Sequence, residues 1–389
     1  MHATTALIAA WARSAVVPRG GAFKALHAHE IASPVVQTLL QRAGVQAAQV
    51  NAVVVGNALG AGGNPARMLA LNAGLPQACA AYTVDTQCCA GLDAVAMGIG
   101  LIASGQAEVV IAGGMEAWSR SPIRMHRPWH ASEAPVAYER PAFAPTPEQD
   151  PDLLLSAARY AAQHGYTRAQ QDAYACDSHQ RAVTHQATIA TEIVAVAGVL
   201  RDAYPRLIDA ARAQRMPFVA RSDDRPAPEA DAYALSALTI STQADGAAFV
   251  LLLSPIAAGR LGVHVKAECV ATASVGGAPE LPLIAAELAA REALKRAGLN
   301  QANDMQFVEL HDAFAVQGLS FADGLSLDLQ RLNAHGGGVA RGHPIGASAA
   351  IALVRLLADV EREGMSGSQG LVAVAGAGGL GAAAVVRKC

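Results

Sequence analysis

The chain has few aromatic residues and little charge. Aromatics make up 4% of its 389 residues and charged side chains 16%, and 29 lysines and arginines nearly balance 32 aspartates and glutamates for a net charge of −3. No segment forms a dense basic run, so a nucleic-acid partner has no electrostatic footprint. Nor does any stretch reach about 18 uninterrupted apolar residues, the length a membrane helix needs. Met1–Ala12 is apolar but lacks a basic leader region, and it reads as a first buried strand. A cytoplasmic protein without a membrane partner is expected. The six cysteines (Cys79, Cys88, Cys89, Cys176, Cys269, Cys389) include no C-x2-C pair, which removes the usual zinc pattern, and no bound metal is expected. The adjacent Cys88 and Cys89 suit free thiols in a reducing compartment better than a structural disulfide.

Alanine, valine, leucine and 36 glycines are abundant, and 52% of residues are hydrophobic, a composition suited to closely packed helices and strands. The two ends of the chain repeat one phrase. An apolar helical pattern ends in Arg42-Ala43-Gly44 and a strand-like run follows from Val50 to Val55; a second pattern, Ile284–Leu294, ends in Arg296-Ala297-Gly298 and is followed by Gln306–Leu310. Glycine stops helices and β-branched residues favour strands. Downstream, a turn at Cys88 leads to a helix over about Leu92–Ser104 and a strand Glu108–Ile111, ending in Ala112-Gly113-Gly114. In the second half a turn at His343 leads to a helix over about Ala347–Val360 and a strand Leu371–Val374. Gly44 to Cys88 is 44 residues and Gly298 to His343 is 45. Alternating strands and helices predict an α/β fold with mostly parallel sheets. Two similar halves predict a pseudo-twofold molecule that brings Cys88 and His343 together. Residues 118–241, rich in proline, arginine and tyrosine and then helical around Leu153–Thr191, read as an inserted loop or lid domain. The halves are then 1–117 with 242–255, and 256–389.

Three segments carry chemistry-bearing residues. In Thr83–Leu92, Cys88 sits at a tip between a strand and a small-residue helix, where helix N–H groups and the dipole lower a thiol pKa; Gly91 leaves the helix start open to a substrate carbonyl. Two small buried hydrophobes are the bland alternative. In Asn333–Ser348, a glycine run and Gly342-His343-Pro344-Ile345-Gly346-Ala347-Ser348 force a tight turn with an imidazole at its apex, placed to take a thiol proton. In Glu309–Ala315, His311 follows a strand and can donate to a carbonyl or enolate oxygen, while Asp312 reads as a helix N-cap. Gly376–Gly381 matches G-x-G-x-x-G, but only eight residues follow it, too few for the crossover helix and second strand of a dinucleotide site.

Almost end to end, these segments resemble the thiolase family. Gly56-Asn57 and Asn64–Arg67 are similar to its early loops, Thr83–Leu92 to its nucleophile segment, Ala112–Glu116 to the turn after it, and Gly342-His343-Pro344 to its most specific motif. Gln171-Asp172, Ser178–Gln180 and Glu192–Val194 resemble its loop-domain helices, and Ser241 with Asp245–Ala248 its pantetheine-proximal stretch. The resemblance implies a five-layered αβαβα fold of two duplicated halves with a loop domain, assembled as a homodimer or homotetramer. It also implies ping-pong acyl transfer in fatty acid metabolism, with coenzyme A thioesters as substrates and no tightly bound cofactor. Cys88 would hold the acyl group, His343 would assist and His311 would donate, while Ser241, Ala313 and Phe314 would line the coenzyme A site.

Three departures stand out. His311-Asp312-Ala313-Phe314 replaces the usual Asn-Glu-Ala-Phe, and Ala90-Gly91 replaces Ser-Gly. Aligning Gly378–Gly381 with the family's C-terminal glycine run places Ala375 where the acid/base cysteine belongs and Ala377 at the following glycine. The subgroup that takes this cysteine from His-Asp-Cys-Phe does not rescue the case, because position 313 is alanine. Three functions remain: an acyl-CoA acyltransferase that makes or cleaves 3-ketoacyl-CoA with another base; a ketosynthase-like decarboxylative condensation or acyl transfer on Cys88, His311 and His343; and a catalytically silent subunit partner.

Overall fold

The computed structural model describes residues 6–299 and 301–389; Met1–Thr5, part of the expected first strand, lie outside the described residues. The strands of the frame are β1 (Leu7–Ser14), β2 (Ala52–Gly56), β3 (Ala80–Val84), β4 (Val109–Ala117), β5 (Ala244–Leu253), β6 (Ala267–Gly276), β7 (Phe307–His311), β8 (Gln369–Gly376) and β9 (Leu380–Lys388). The helices that build the site and its support are α1 (Ala28–Ala43), α2 (Ala90–Ala103), α3 (Leu153–His164), α4 (Arg168–Thr184), α5 (Ala285–Arg296), α6 (Ala315–Gly324) and α7 (Ile345–Glu363). β4 runs well past the glycines expected to end it, because β5 pairs along its whole length from Val109–Leu253 to Ala117–Asp245.

The strand order is β3-β2-β4-β5-β1-β6-β9-β8-β7. Read outward from the β1–β6 seam, where Leu7 faces Glu268 and Ile8 faces Ala267, the two sides repeat one another. β1 matches β6, β5 matches β9, β4 matches β8 and β2 matches β7; a single bridge between Val308 and Leu332 stands where β3 would be. Among these nine strands only β2–β3, β2–β4 and β7–β8 pair in parallel, and β1 adds a short parallel pairing with Ile193–Val194 of the inserted segment, so the sheets are mixed rather than mostly parallel. Short connections explain the difference. β8 and β9 are joined by Ala377-Gly378-Gly379, with both glycines at positive φ, and so tight a reversal makes antiparallel neighbours. In the first half the corresponding antiparallel pair, β4 and β5, is instead joined by residues 118–243.

Strand alternation sends successive side chains to opposite faces, and three separate cores result. Outside the first half, Ile31, Val35 and Leu39 of α1 meet Val53, Val55, Ile111, Phe249 and Leu251. Between the halves, α2 and α7 lie between Val54, Val110 and Leu252 on one side and Val372, Val374 and Val386 on the other. Outside the second half, Ala286, Ala289 and Ala293 of α5 meet Leu310, Leu371 and Val385. These layers are the αβαβα stack expected. The two central helices approach closely: a Cβ on Gly91 would lie 2.9 Å from the backbone nitrogen of Ala350. Gly91 therefore serves helix–helix packing and does not clear a path for substrate.

Residues 118–243 contain a small hairpin (Arg124–His126 with Val136–Tyr138), α3 and α4. Asp152 caps α3 by accepting from the N–H groups of Leu154 and Leu155, and Thr167 caps α4 through a reciprocal capping box with Gln170. A buried ionic network ties this segment to both halves. Arg13 of β1 donates to Glu192 at 2.6 Å and to both oxygens of Asp202 at 2.8 and 2.9 Å. Arg355 of α7 donates to Glu192 and, at 2.9 Å, to Asp359, which also pairs with His335.

Removing one partner of a buried ion pair leaves the other charge without compensation, at a cost of about 3–5 kcal/mol. Arg13→Ala strands Asp202 in this way and leaves Glu192 with Arg355 as its remaining cation. Urea denaturation should show a loss of that size, and a loss under about 1 kcal/mol would mean that the network does not anchor the segment.

Candidate active site

Cys88 is presented by a strained turn. Gln87 takes a positive φ of 53°, uncommon for a residue with a side chain, and its backbone N–H is held by Asp85 Oδ1 at 3.1 Å. One 3-10 turn, Gln87–Cys89, then feeds directly into α2, which aims Cys88 outward and Cys89 inward. The Cys89 sulfur is buried near the carbonyl of Val374, at 3.8 Å.

His343 stands on the turn before α7. Gly342 adopts φ 112°, a region that favours glycine, and the following N–H of His343 donates to Thr242 O at 2.7 Å. Trp118 Nε1 donates to the His343 carbonyl at 3.0 Å. The first half presses on this turn from beneath: a Cβ on Gly114 would lie 2.0 Å from the carbonyl oxygen of Gly346, and one on Gly56 would lie 2.6 Å from it. Only glycine permits that approach. Glu116, fully buried, clamps the contact by accepting from Asn57 Nδ2 (2.8 Å), Ala58 N (2.9 Å), Leu59 N (3.3 Å) and Gly346 N (3.0 Å). Burial pushes its carboxyl up to about 7, and the N–H donors work in the opposite direction.

His311 ends β7. Its ring packs against Gly338, where a Cβ would come within 2.7 Å of the imidazole. Asp312 is not the N-cap of α6, a position taken by Phe314. It accepts instead from the Gly338 N–H and from Tyr174 OH of α4, the latter at 2.7 Å. Tyr174 of the inserted segment thus braces the histidine through Asp312, with Gly338 holding the same carboxylate.

The three residues meet. Cys88 Sγ lies 3.1 Å from His343 Nε2, and His311 Nε2 lies 2.5 Å from His343 Nδ1. The imidazoles are nearly parallel, with centroids 4.5 Å apart. Cys88 and His343 are half-buried, while His311 is buried. Burial pushes the Cys88 thiol up to about 12, although the backbone N–H groups of Ala377 and of Cys88 itself favour the thiolate. The lowered thiol pKa expected from the helix N-terminus is therefore not found, because the desolvation of the sulfur outweighs the donors. Burial also lowers His343 to about 4, and burial with the neighbouring His343 and Arg341 holds His311 well below the ordinary histidine range. All three shifts point the same way, toward a neutral thiol beside two neutral imidazoles at rest. Such a set can move a proton from sulfur to nitrogen in concert with attack, with N–H donors gathered at the sulfur.

Ser241, Ala313 and Phe314 also come together beside this set. Ser241 N donates to Ala313 O at 2.8 Å, its hydroxyl donates to Gly338 O at 2.6 Å, and Ile240 bridges Phe314. All three are half-buried. Ala375 lies at the end of β8, one residue beyond Val374, the partner of His311 in the parallel pairing. It offers no ionisable atom. Sequence reasoning passed over the backbone N–H of Ala377, the clamp by Glu116 and the brace by Tyr174. Of these only Glu116 carried a signal, as a carboxylate next to a glycine pair. Among the described residues, His335, Asp359 and Glu363 are the group whose donor atoms converge as metal ligands would. Arg355 and Arg362 already occupy the oxygens of Asp359, so the set reads as an ion-pair network. No described helix is long and apolar enough to cross a membrane.

Two family models match the chain: the thiolase N-terminal domain over residues 6–255 and the thiolase C-terminal domain over residues 263–388. The chain is 34% identical over 402 residues to the acetyl-CoA acetyltransferase of Shinella zoogloeoides, covering 99% of each chain. It is 33% identical over 394 residues to the acetyl-CoA acetyltransferase of Thiocystis violacea, covering 97% of each. Among solved structures it superposes on the Acat5 thiolase from Ascaris suum in complex with coenzyme A, with a TM-score of 0.89, 25% identity, and coverage of 99% of this chain and 100% of that one. The acetyl-CoA acetyltransferase of Bacillus anthracis gives a TM-score of 0.89 at 28% identity, covering 99% of each.

The charge state of Cys88 is directly testable. With the thiol at about 12, alkylation of Cys88 by iodoacetamide should accelerate about tenfold per pH unit through pH 9 without levelling. A plateau between pH 6 and 8, followed by peptide mapping, would reveal a thiolate–imidazolium pair in place of the neutral one.

Proposed function

The chain belongs to the thiolase family and is an acyl-CoA acyltransferase, and from that premise we propose that it forms an acyl-enzyme on Cys88 and makes or cleaves 3-ketoacyl-CoA. The observation that carries this reading is the 3.1 Å contact between Cys88 Sγ and His343 Nε2, drawn from opposite halves of the molecule. His343 Nε2 takes the thiol proton as the sulfur attacks the thioester carbonyl. The N–H groups of Cys88 and Ala377 supply donors to the oxygen as it becomes negative. Coenzyme A leaves as a thiol with the proton from His343, and the acyl group stays on Cys88. Ser241, Ala313 and Phe314 are assigned to the pantetheine arm on the strength of their shared, half-buried position beside the pair.

The second half of the reaction needs a carbon nucleophile, and no thiol stands at 375, 377 or 313 to take a proton from it. The imidazole pair fills that role in this reading. A proton received at His343 Nε2 is shared through Nδ1 with His311, 2.5 Å away, which spreads the charge over two rings. The alanine at 375 also favours a second reading, decarboxylative condensation, since loss of carbon dioxide creates a carbanion without any C–H proton to remove. A silent subunit has no use for a cysteine and a histidine in contact and is set aside. Exposed Met68, Leu71 and Tyr82 near the edge strand β3, and Ile123, Met125 and Trp129 around the hairpin, support assembly as a homodimer or homotetramer. Free thiols support a cytoplasmic setting.

Incubation with acetyl-CoA should add an acetyl group to Cys88, visible by mass spectrometry. Cys88→Ala should abolish it, and His343→Ala should slow it about 10²–10⁴-fold. An unlabelled wild-type protein would sink the acyl-enzyme. Thiolysis of acetoacetyl-CoA supports the first reading, and condensation only with malonyl-CoA supports the second. Ala375→Cys should raise thiolysis; no rise in a folded variant would mean that residue 375 does not mark the vacant acid/base position.

A further inference from the structure

His343 can serve as a base toward Cys88 only if Nε2 carries a lone pair, so its single ring proton must sit on Nδ1. Two groups face Nδ1: His311 Nε2 at 2.5 Å and the Ser348 hydroxyl at 2.8 Å. They are not equivalent. A neutral imidazole nitrogen is a donor in one tautomer and an acceptor in the other, so His311 fits either proton placement on His343. If His311 donated from Nε2, the proton of His343 would move to Nε2 and face the sulfur, and the base would be lost.

Ser348 is biased to one direction by a second neighbour. Its hydroxyl lies 3.0 Å from the carbonyl oxygen of Pro344, which can only accept. With its one proton committed there, Oγ can only accept from Nδ1. The chain of bonds then has a single consistent direction: Cys88 S–H to His343 Nε2, His343 Nδ1–H to Ser348 Oγ, and Ser348 O–H to Pro344 O. Run backwards it is poorer at both ends: Ser348 would give up its bond to the Pro344 carbonyl to donate to Nδ1, and the sulfur, already facing the N–H groups of Ala377 and Cys88, would receive a third donor while its own proton lost its acceptor on Nε2.

We infer that Ser348 is a positioning residue that fixes the proton of His343 on Nδ1 and thereby makes His343, rather than its neighbour His311, the base for Cys88. The inference rests on the acyl-enzyme reading above for its consequence, but the tautomer itself is a property of the resting protein. His311 then presents a lone pair to Nδ1–H and carries its own proton on Nδ1, on the side of Gly338. Ser348 is fixed in turn by its place on α7, whose first turn holds Pro344 O and the serine four residues apart.

The test uses the full-length enzyme labelled with 15N on histidine, with the His343 signals identified by their absence from a His343→Gln variant. Long-range proton–nitrogen correlation spectra should show His343 protonated on Nδ1. Ser348→Ala should move population to the Nε2-protonated form and slow acetylation of Cys88 by acetyl-CoA about tenfold or more, and Ser348→Thr should restore both. An Nε2-protonated His343 in the unmodified protein overturns the inference without reference to any variant. So does a folded Ser348→Ala protein whose His343 signals match wild type. Failure of acetyl-CoA to label wild-type Cys88 strikes the acyl-enzyme reading instead, and the ring spectrum still reports on Ser348.

Discussion

A sulfur on one half of the molecule must meet an imidazole on the other at 3.1 Å, and much of the structure answers to that requirement. The contact cannot be made by reaching, since neither side chain is long. It is made by bringing two backbones together. The carbonyl of Gly346 sits where side chains on Gly114 and Gly56 would be, and α2 lies so close to α7 that Gly91 has no room for a methyl group. Glu116 then spans the seam, taking N–H groups from the Asn57–Leu59 loop of the first half and from Gly346 of the second. Duplication supplies the symmetry, and small residues at the seam bring Cys88, His343 and His311 into one cluster.

Much of this was legible in the sequence because it is local. The helix stops at Gly44 and Gly298 and the β-branched strands after them announce the repeat, and glycines framing His343 announce a forced turn. Cys88 and His343 were marked by the turns they sit on, and His311 by its place at the end of a strand. What was not legible depends on encounters between distant segments. Tyr174 belongs to a helix that shows only an ordinary amphipathic pattern, and its value arises where it meets Asp312, 138 positions away. Asp312 looked like a cap because it precedes a helix, yet Gly338 and Tyr174 claim its oxygens first. The mixed pairing of the sheets was hidden for a related reason: alternation of strands and helices suggests crossovers, whereas β8 and β9 turn back within three residues.

The sign of the Cys88 shift is the most instructive miss. A cysteine at a helix start reads as an activated thiolate, and the donors that support that reading are present in the N–H groups of Ala377 and Cys88. The sum goes the other way because the sulfur is packed between halves and no cation among the described residues offsets its burial. His343 is depressed by the same burial, so an ion pair would need to form against two desolvation costs at once. A neutral pair avoids both, and on the acyl-enzyme reading it moves the charge separation from the resting state to the moment of attack, when the carbonyl oxygen can share the donors.

A neutral resting site also bears on the alanine at position 375. An acid/base thiol there would require its own activation in surroundings that push thiols upward, as Cys89 in the adjoining core illustrates. A pair of imidazoles 2.5 Å apart meets the difficulty differently, because the positive charge gained on taking a proton is shared between two rings. Sharing works only if the pair is polarised, with one ring donating and the other accepting, and two identical neutral rings have no preference of their own. The asymmetry has to come from outside the pair. On the His343 side it is supplied by a hydroxyl that donates to the Pro344 carbonyl and so turns its lone pair to Nδ1.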